Sequence, residues 1–224
     1  MHVAIIMNGN SRWAMQRRVL PGAGYAAGVA ALRNTVALAA DAGVRTLTVY
    51  AICTPDCTRP RQEIAADLGV LGSYLRSNAG HCREQSIRIE VIGHQGRLCE
   101  ALPRDFDTRT PSQCPDSRMQ LRIVVDYSAH NSVVKASWRS THPCAPDTFD
   151  RQLREIDRTA LPAGPVDLLV RTGGGRCQGE FMLWEVAYAR LHYVDCLWPD
   201  FTARCFQRAL ACHAGQDERV VSIA

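Results

Sequence analysis

Five short runs rich in β-branched and apolar residues punctuate the chain: VAIIM (3–7), VRTLTVYAI (44–52), IRIEVIG (87–93), LRIVVDYSA (121–129) and VDLLVRTGGG (166–175). Runs of this length with little polar alternation suit strands buried on both faces. Between them the period changes. Residues 24–42 (GYAAGVAALRNTVALAADA) carry apolar positions at helical spacing and stop at Gly43, and RQEIAADLGVLGSYLRSNA (61–79) returns to that spacing. EFMLWEVAYARLHY (180–193) reads as a helix, or as a helix leading to a last short strand. Strands separated by helices predict an α/β fold, with a central, mostly parallel sheet flanked by helices on both faces. The polar, Pro-containing stretch 103–118 reads as a surface loop. With no repeat or linker, one domain over residues 1–224 is expected, and 46% apolar residues suffice for its core.

In such sheets ligands gather at the carboxyl ends of the strands. Three strand ends there are rich in polar and glycine residues: Asn8-Gly9-Asn10-Ser11-Arg12-Trp13, CTPDCTRP (53–60) and RTGGGR (171–176). Each supplies an arginine, namely Arg12, Arg59 and Arg171. Gly9-Asn10-Ser11 can present successive backbone N–H groups to an anion, and the glycines after Arg171 permit close backbone approach. Arginines and amides converging on one sheet edge suit a phosphate or diphosphate. The glycine run is neither a Walker A loop, since no Lys-Ser/Thr follows, nor a dinucleotide fingerprint.

The formal charge of +4 comes almost wholly from arginine, Lys135 being the only lysine, and no basic run is present. That balance favours small anionic ligands and argues against nucleic acid. Ten scattered cysteines do not make a compact disulfide framework. No stretch has the length of a signal peptide core or a transmembrane segment, so a cytoplasmic protein with reduced thiols is expected. Cys53-x-x-x-Cys57 with His81-Cys82 has poor spacing for a metal site.

Together these motifs resemble the cis-prenyltransferase (undecaprenyl diphosphate synthase-like) family from end to end. HVAIIMNGNSRWA (2–14) is similar to its opening motif, TLTVYAICTPDCTRP (46–60) to its second, and VDLLVRTGGGRCQGEFMLWEVAYARLHYVDCLWPDF (166–201) to its last. The resemblance implies an apolar tunnel for a prenyl chain and a homodimer, in some members a heterodimer. It also implies an allylic diphosphate on the first motif, isopentenyl diphosphate on the last, and Mg²⁺ between them.

Against that pattern Gly9, Asn10, Arg12 and Trp13 are retained, while the family's metal-binding Asp is Asn8. Asn is nearly isosteric but neutral, and binds a hard cation far less well. The family's His near the first helix is Tyr25, and the Arg before it falls on Pro21, leaving Arg17 or Arg18 to reach in. The second motif keeps Thr54, Arg59 and Pro60 but has Asp56 and Cys57 for Asn and Trp. In the last motif Arg171, Thr172, Gly174, Phe181, Leu183, Trp184, Ala187 and Tyr188 match. The second arginine falls on Cys177, with Arg176 one position off, and Gly175, Gly179, Glu180 and Arg190 replace Glu, Ser, Asn and Glu. A middle motif appears as Tyr127-Ser128-Ala129-His130, and DERVVSIA replaces the family's C-terminal motif.

The metal carboxylates and most donors to the second diphosphate are thus replaced, while the apolar scaffold is kept. The pattern implies an enzyme that ionises one allylic diphosphate, such as geranyl, farnesyl or geranylgeranyl diphosphate (about C10 to C20), by stabilising the leaving group electrostatically. A terpene synthase-like end would follow: cyclisation, deprotonation or water capture. Asn8, Arg12, Arg59 and Asp56 are the expected catalytic residues. Gly9, Asn10, Ser11, Trp13, Tyr25, Arg171 and Arg176 are expected to bind substrate. Asp56, Tyr25, His130 and the diphosphate itself are candidate bases. No cofactor is required by the retained residues, and Mg²⁺ is left to come with the diphosphate; Arg190 could stand in for its charge. Two alternatives remain at this point: genuine condensation with isopentenyl diphosphate, and an inactive partner subunit of a cis-prenyltransferase. Small residues of the tunnel-wall helix (Ala65, Ala66, Gly69, Gly72, Ser73) would widen the cavity, or else permit close helix packing.

Overall fold

The computed structural model describes residues 1–53, 61–93, 117–140, 144–157, 159, 164–176 and 179–215. Six strands form one sheet: β1 (His2–Ile6), β2 (Thr46–Cys53), β3 (Ile87–Gly93), β4 (Met119–Tyr127), β5 (Leu168–Arg171) and β6 (Arg190–Tyr193). Their order is β3-β4-β2-β1-β5-β6, and every pair is parallel. The helices are α1 (Asn10–Gln16), α2 (Pro21–Asp41), α3 (Arg61–Glu84), α4 (Ala129–Arg139), α5 (Pro146–Asp157) and α6 (Ala203–His213), with a 3₁₀ turn at Trp198–Asp200. No helix among the described residues is long and apolar enough to cross a membrane.

The alternation of strand side chains divides the core in two. Val3 and Ile5 of β1 and Leu47 and Val49 of β2 pack with Leu32 and Val36 of α2, Leu71 and Leu75 of α3 and Phe206 of α6. Ala4, Ile6 and Tyr50 face the opposite way, toward Tyr127, Phe181, Met182 and Val186. Every residue of β1 is buried. That explains why the runs look apolar throughout.

The strands lie where the runs predict, with three adjustments. β4 ends at Tyr127, and Ser128 caps α4 by accepting the Asn131 N–H at 3.3 Å. β5 ends at Arg171, because Gly173 and Gly174 take positive φ of 84° and 72°. Residues 180–189 form turns instead of the expected helix. The positive φ of Gly179 and Met182 (69° and 46°) prevents a continuous helix, leaving isolated bonds such as Val186 N–H to the Met182 carbonyl at 3.0 Å. The apolar residues here are anchors: Phe181 is fully buried and stacks on Tyr50 with ring centroids 4.7 Å apart. The final short strand is β6. The 103–118 loop lies outside the described residues except for its last two positions.

A polar layer is buried within the fold. Arg122 and Glu90, both 4% exposed, pair at 3.4 Å, and Gln120 donates to the same Glu90 oxygen at 2.9 Å. His2 Nε2 meets Thr48 Oγ1 at 2.7 Å, and burial together with Arg122 lowers its pKa to about 4. Nearby, Ser132 donates to Asp157 at 2.5 Å.

Burial pushes the Asp157 carboxyl from 3.8 up to about 6, against the pull of the Ser132 and Tyr127 hydroxyls and of Arg122 and Lys135. The folded chain therefore holds a proton that the unfolded chain releases between about pH 4 and 6. The contribution is complete below the unfolded pKa and is lost as pH rises through about 6. In urea titrations Asp157→Asn is expected to flatten the fall in stability across that window. Parallel pH profiles for the two chains would show that Asp157 does not set the slope.

Candidate functional site

β1 and β5 lie side by side with Ile6 opposite Arg171, so the chain leaves both strands at the same sheet edge. Thr172, which has no exposed surface, ties the two exits together. Its hydroxyl accepts the Asn8 N–H at 3.0 Å and donates to the Asn8 carbonyl at 2.9 Å. The Trp198 N–H bonds the same carbonyl at 3.0 Å. Gly9 then turns the chain with a φ of 125°, and a Cβ there would meet Leu197 at 2.9 Å. What reads as a loop in the sequence becomes α1 directly after this glycine. The first bond of α1 runs from Trp13 N–H to the Gly9 carbonyl at 2.8 Å, leaving the amides of residues 10–12 to partners outside the helix.

Arg12 and Arg171 flank one glycine turn. A Cβ on Gly173 would collide with the Arg12 guanidinium, and one on Gly175 would come within 2.9 Å of the Arg171 guanidinium. The turn is held by Gly173 N–H to the Cys196 carbonyl (2.8 Å) and Gly174 N–H to the Val194 carbonyl (3.2 Å). Two of the three expected arginines are thus brought together; Arg59 and Asp56 lie outside the described residues. Arg176 and Ser11 are exposed at the margin. Trp13 and Arg17 are engaged elsewhere: both donate to Asp200, at 2.8 and 3.1 Å, and the guanidinium stacks over the indole.

Beside this loop, between α2, α3 and the ends of β1 and β2, lies a narrow, mainly apolar cleft. Met7, Val29, Leu32, Ala51, Leu71 and Trp198 line it together with Asn10, Tyr25 and Asp67. Asn10 packs against Gly28, and Trp198 Nε1 donates to the Gly28 carbonyl at 2.8 Å. Tyr25 lies within α2 and faces the cleft.

Asp67 was not expected. It is 4% exposed on the inward stripe of α3 that also carries Leu68, Leu71, Tyr74 and Leu75. A lone acid in phase with the apolar positions of a helix was the available signal. Of the small residues, Ala65, Gly69 and Ser73 are exposed, with Ser73 donating to the Gly69 carbonyl at 3.0 Å, and these three do not widen the cleft; Gly72 is buried.

Arg190 also departs from expectation. It opens β6 opposite Leu168, three residues before Arg171. At about 3.3 Å per residue that is roughly 10 Å from the glycine turn. Its side chain donates to the Cys212 carbonyl in α6. Within one chain it cannot substitute for a metal's charge at Asn8. His130 pairs with Glu180 at 3.0 Å, and Ser128 donates to the other Glu180 oxygen at 2.5 Å.

Mg²⁺ needs near-octahedral oxygen donors, ordinarily including carboxylates. Asn8 offers a neutral amide, Asp200 is engaged by Trp13 and Arg17, and no group of three His, Cys, Asp or Glu suited to a metal occurs among the described residues. Of the described residues at this loop, Asn8 and Asp200 thus offer Mg²⁺ no uncommitted carboxylate, and Asp195 beside Gly174 is the acid that remains.

The glycine turn makes a direct test. Gly173→Ala forces an L-residue into left-handed backbone, costing about 1–2 kcal/mol before Arg12 is displaced. Gly69→Ala, with nothing near its would-be Cβ, should instead stabilise α3 by about 0.5–1 kcal/mol. Equal effects in thermal or urea unfolding would contradict this placement of the turn.

Comparison with known proteins points to one family. Residues 6–221 match the family model described as putative undecaprenyl diphosphate synthase. Isoprenyl transferase 1 of Bradyrhizobium diazoefficiens is 34% identical, over 98% of this chain and 88% of that protein. The ditrans,polycis-undecaprenyl-diphosphate synthase ((2E,6E)-farnesyl-diphosphate specific) of Escherichia coli K12 is 30% identical, over 97% and 88%. In fold, the chain is similar to the crystal structure of lavandulyl diphosphate synthase from Lavandula x intermedia in complex with dimethylallyl diphosphate. The TM-score is 0.79 at 23% identity, covering 95% of this chain and 94% of that one. The chain belongs to the undecaprenyl diphosphate synthase, or cis-prenyltransferase, family of enzymes acting on prenyl diphosphates.

Proposed function

We propose that this family member ionises a single allylic diphosphate of about C10 to C20 and resolves the cation inside its own cleft, with electrostatic stabilisation of the leaving group as the main catalytic effect. The observation that carries this reading is Asp67, a buried carboxylate in the apolar cleft beside the Asn8–Arg12 loop. A long chain threading past would meet that acid; a short carbocation would be stabilised by it.

In this reading the diphosphate rests on the α1 amides and Arg12, with Arg171 across the turn and Asn8 orienting it. The allylic C–O bond breaks, and its electron pair leaves with the diphosphate. The cationic chain lies against Met7, Leu32, Leu71 and Trp198, which exclude water. Asp67 accepts a proton from the carbon next to the cationic centre, and the C–H electron pair closes a new double bond. Tyr25 shapes the entrance. Any Mg²⁺ would come with the diphosphate. The exposed side chains of Trp184, Tyr188 and Leu191, beside and on the edge strand β6, are proposed to be covered by a second copy.

A second reading is favoured by the relatives, several of which are named undecaprenyl diphosphate synthases: condensation with isopentenyl diphosphate. The two separate cleanly. Purified protein is incubated with geranyl, farnesyl or geranylgeranyl diphosphate, alone and with isopentenyl diphosphate, in Mg²⁺ or EDTA. Hydrocarbons or alcohols formed from the allylic substrate alone are expected. Products that lengthen only when isopentenyl diphosphate is added would establish elongation, and no turnover of any substrate would point to a partner subunit. Asp67→Asn should lower kcat by roughly 10²–10⁴-fold with KM little changed. Unaltered kcat would remove Asp67 from the chemistry.

A further inference from the structure

The large apolar side chains left exposed among the described residues fall into two groups. Val134, Trp138, Trp184, Tyr188 and Leu191 lie on α4, in the 180–189 turns and on β6. Met15, Val19 and Leu20 lie apart from them, at the corner between α1 and α2. Leu20 is 81% exposed and Met15 71%, so they stand clear of the surface instead of lining a groove.

The corner has a fixed shape. Arg18 takes left-handed backbone with a φ of 55° and closes α1. Its N–H reaches the Met15 carbonyl at 3.1 Å, and the Val19 N–H reaches back to the Ala14 carbonyl at 3.0 Å, the paired bonds of a tight helix end. Leu20 is extended, Pro21 opens α2, and the Ala23 N–H bonds the Leu20 carbonyl at 2.9 Å. Arg17 is fastened to Asp200 at 3.1 Å. Apolar side chains shown on such a turn lose little backbone freedom when another phase covers them.

The same segment is one-sided in charge. Arg12, Arg17, Arg18 and Arg33 all precede the first acid of the chain, Asp41. Among the described residues Asp200 is the acid that meets the corner, and Trp13 and Arg17 already occupy it. The exposed Arg18 is left uncompensated. A second copy docked here about a two-fold axis would set Arg18 against Arg18. An apolar tip beside an uncompensated arginine suits an anionic lipid surface. Enzymes of this family act on prenyl diphosphates, whose chains partition into such a surface. The length of α1, about 10 Å, separates the corner from the Asn8–Gly9 turn.

We propose that Met15, Val19 and Leu20 enter the headgroup boundary of an anionic bilayer, with Arg18 on the lipid phosphates, as a reversible surface contact. The contact holds the enzyme at the phase into which its prenyl chains partition.

Vesicle binding is read without turnover, so it stands or falls apart from the proposed function. The purified full chain is mixed with sucrose-loaded vesicles of phosphatidylcholine, alone or with about one third phosphatidylglycerol, and sedimented. Co-sedimentation with the phosphatidylglycerol vesicles is expected, several-fold above phosphatidylcholine alone and falling toward it in about 0.5 M salt. Arg18→Gln should lower binding to the anionic vesicles about fivefold and leave phosphatidylcholine unchanged. Met15→Ser combined with Leu20→Ser should lower both by at least about tenfold. Met15→Gln, which keeps the helix propensity of α1, should give part of that loss alone. Trp138→Ser, on the other exposed apolar group, should change nothing. The proposal is overturned if the unaltered chain stays in the supernatant, if phosphatidylglycerol adds nothing, or if neither Met15 variant binds less. It is equally overturned if the double variant forms a smaller assembly in light scattering, which would give the corner to a second copy.

Discussion

One hydroxyl joins the two halves of the sheet edge that carries Arg12 and Arg171. Parallel strands β1 and β5 run in register as far as Ile6 and Arg171, and the backbone ladder ends there. The next groups are buried and still need partners. Thr172 supplies both at once, accepting from the Asn8 amide and donating to its carbonyl, and the Trp198 amide completes the carbonyl's second site. Asn8 is therefore held by two other segments of the chain. Gly9, α1 and the position of Arg12 over Gly173 follow from that placement.

The glycines are the complement of this constraint. Gly173 is needed twice, for its φ of 84° and for the space taken by Arg12. Gly28 is needed for the approach of Asn10 and of the Trp198 ring. Both sit where backbone must meet a polar side chain closely, so they shape the site without contributing a functional group. The two faces of the sheet divide the labour. One face, under α2 and α3, keeps an apolar cleft; the other buries Arg122, Glu90 and His2 in a fixed polar layer.

Much of this was legible in the sequence, for reasons that differ by element. The strands were legible because central parallel strands are buried on both faces, leaving unbroken apolar runs. α2 and α3 were legible from length and period. α1 was not, since its N-cap is Gly9 with no side-chain cap, and seven residues carry little periodicity. The turns at 180–189 misled, because apolar residues at helical spacing can equally be anchors for an irregular segment, as Phe181 is. Arg12 and Arg171 were found by their place at strand ends. Arg190 was misplaced because a linear motif does not say which end of a strand a residue occupies. Asp67 was overlooked beside Gly69 and Ser73, although helical phase puts the acid inside and those two outside.

The same phase argument bears on what the site can accept. Arg12 and Arg171 leave two guanidinium groups around one turn. Glu180 replaces the Asn of the family's last motif. Its carboxylate is already held by the Ser128 hydroxyl and the His130 ring. The replacement is therefore an anchor with its own partners.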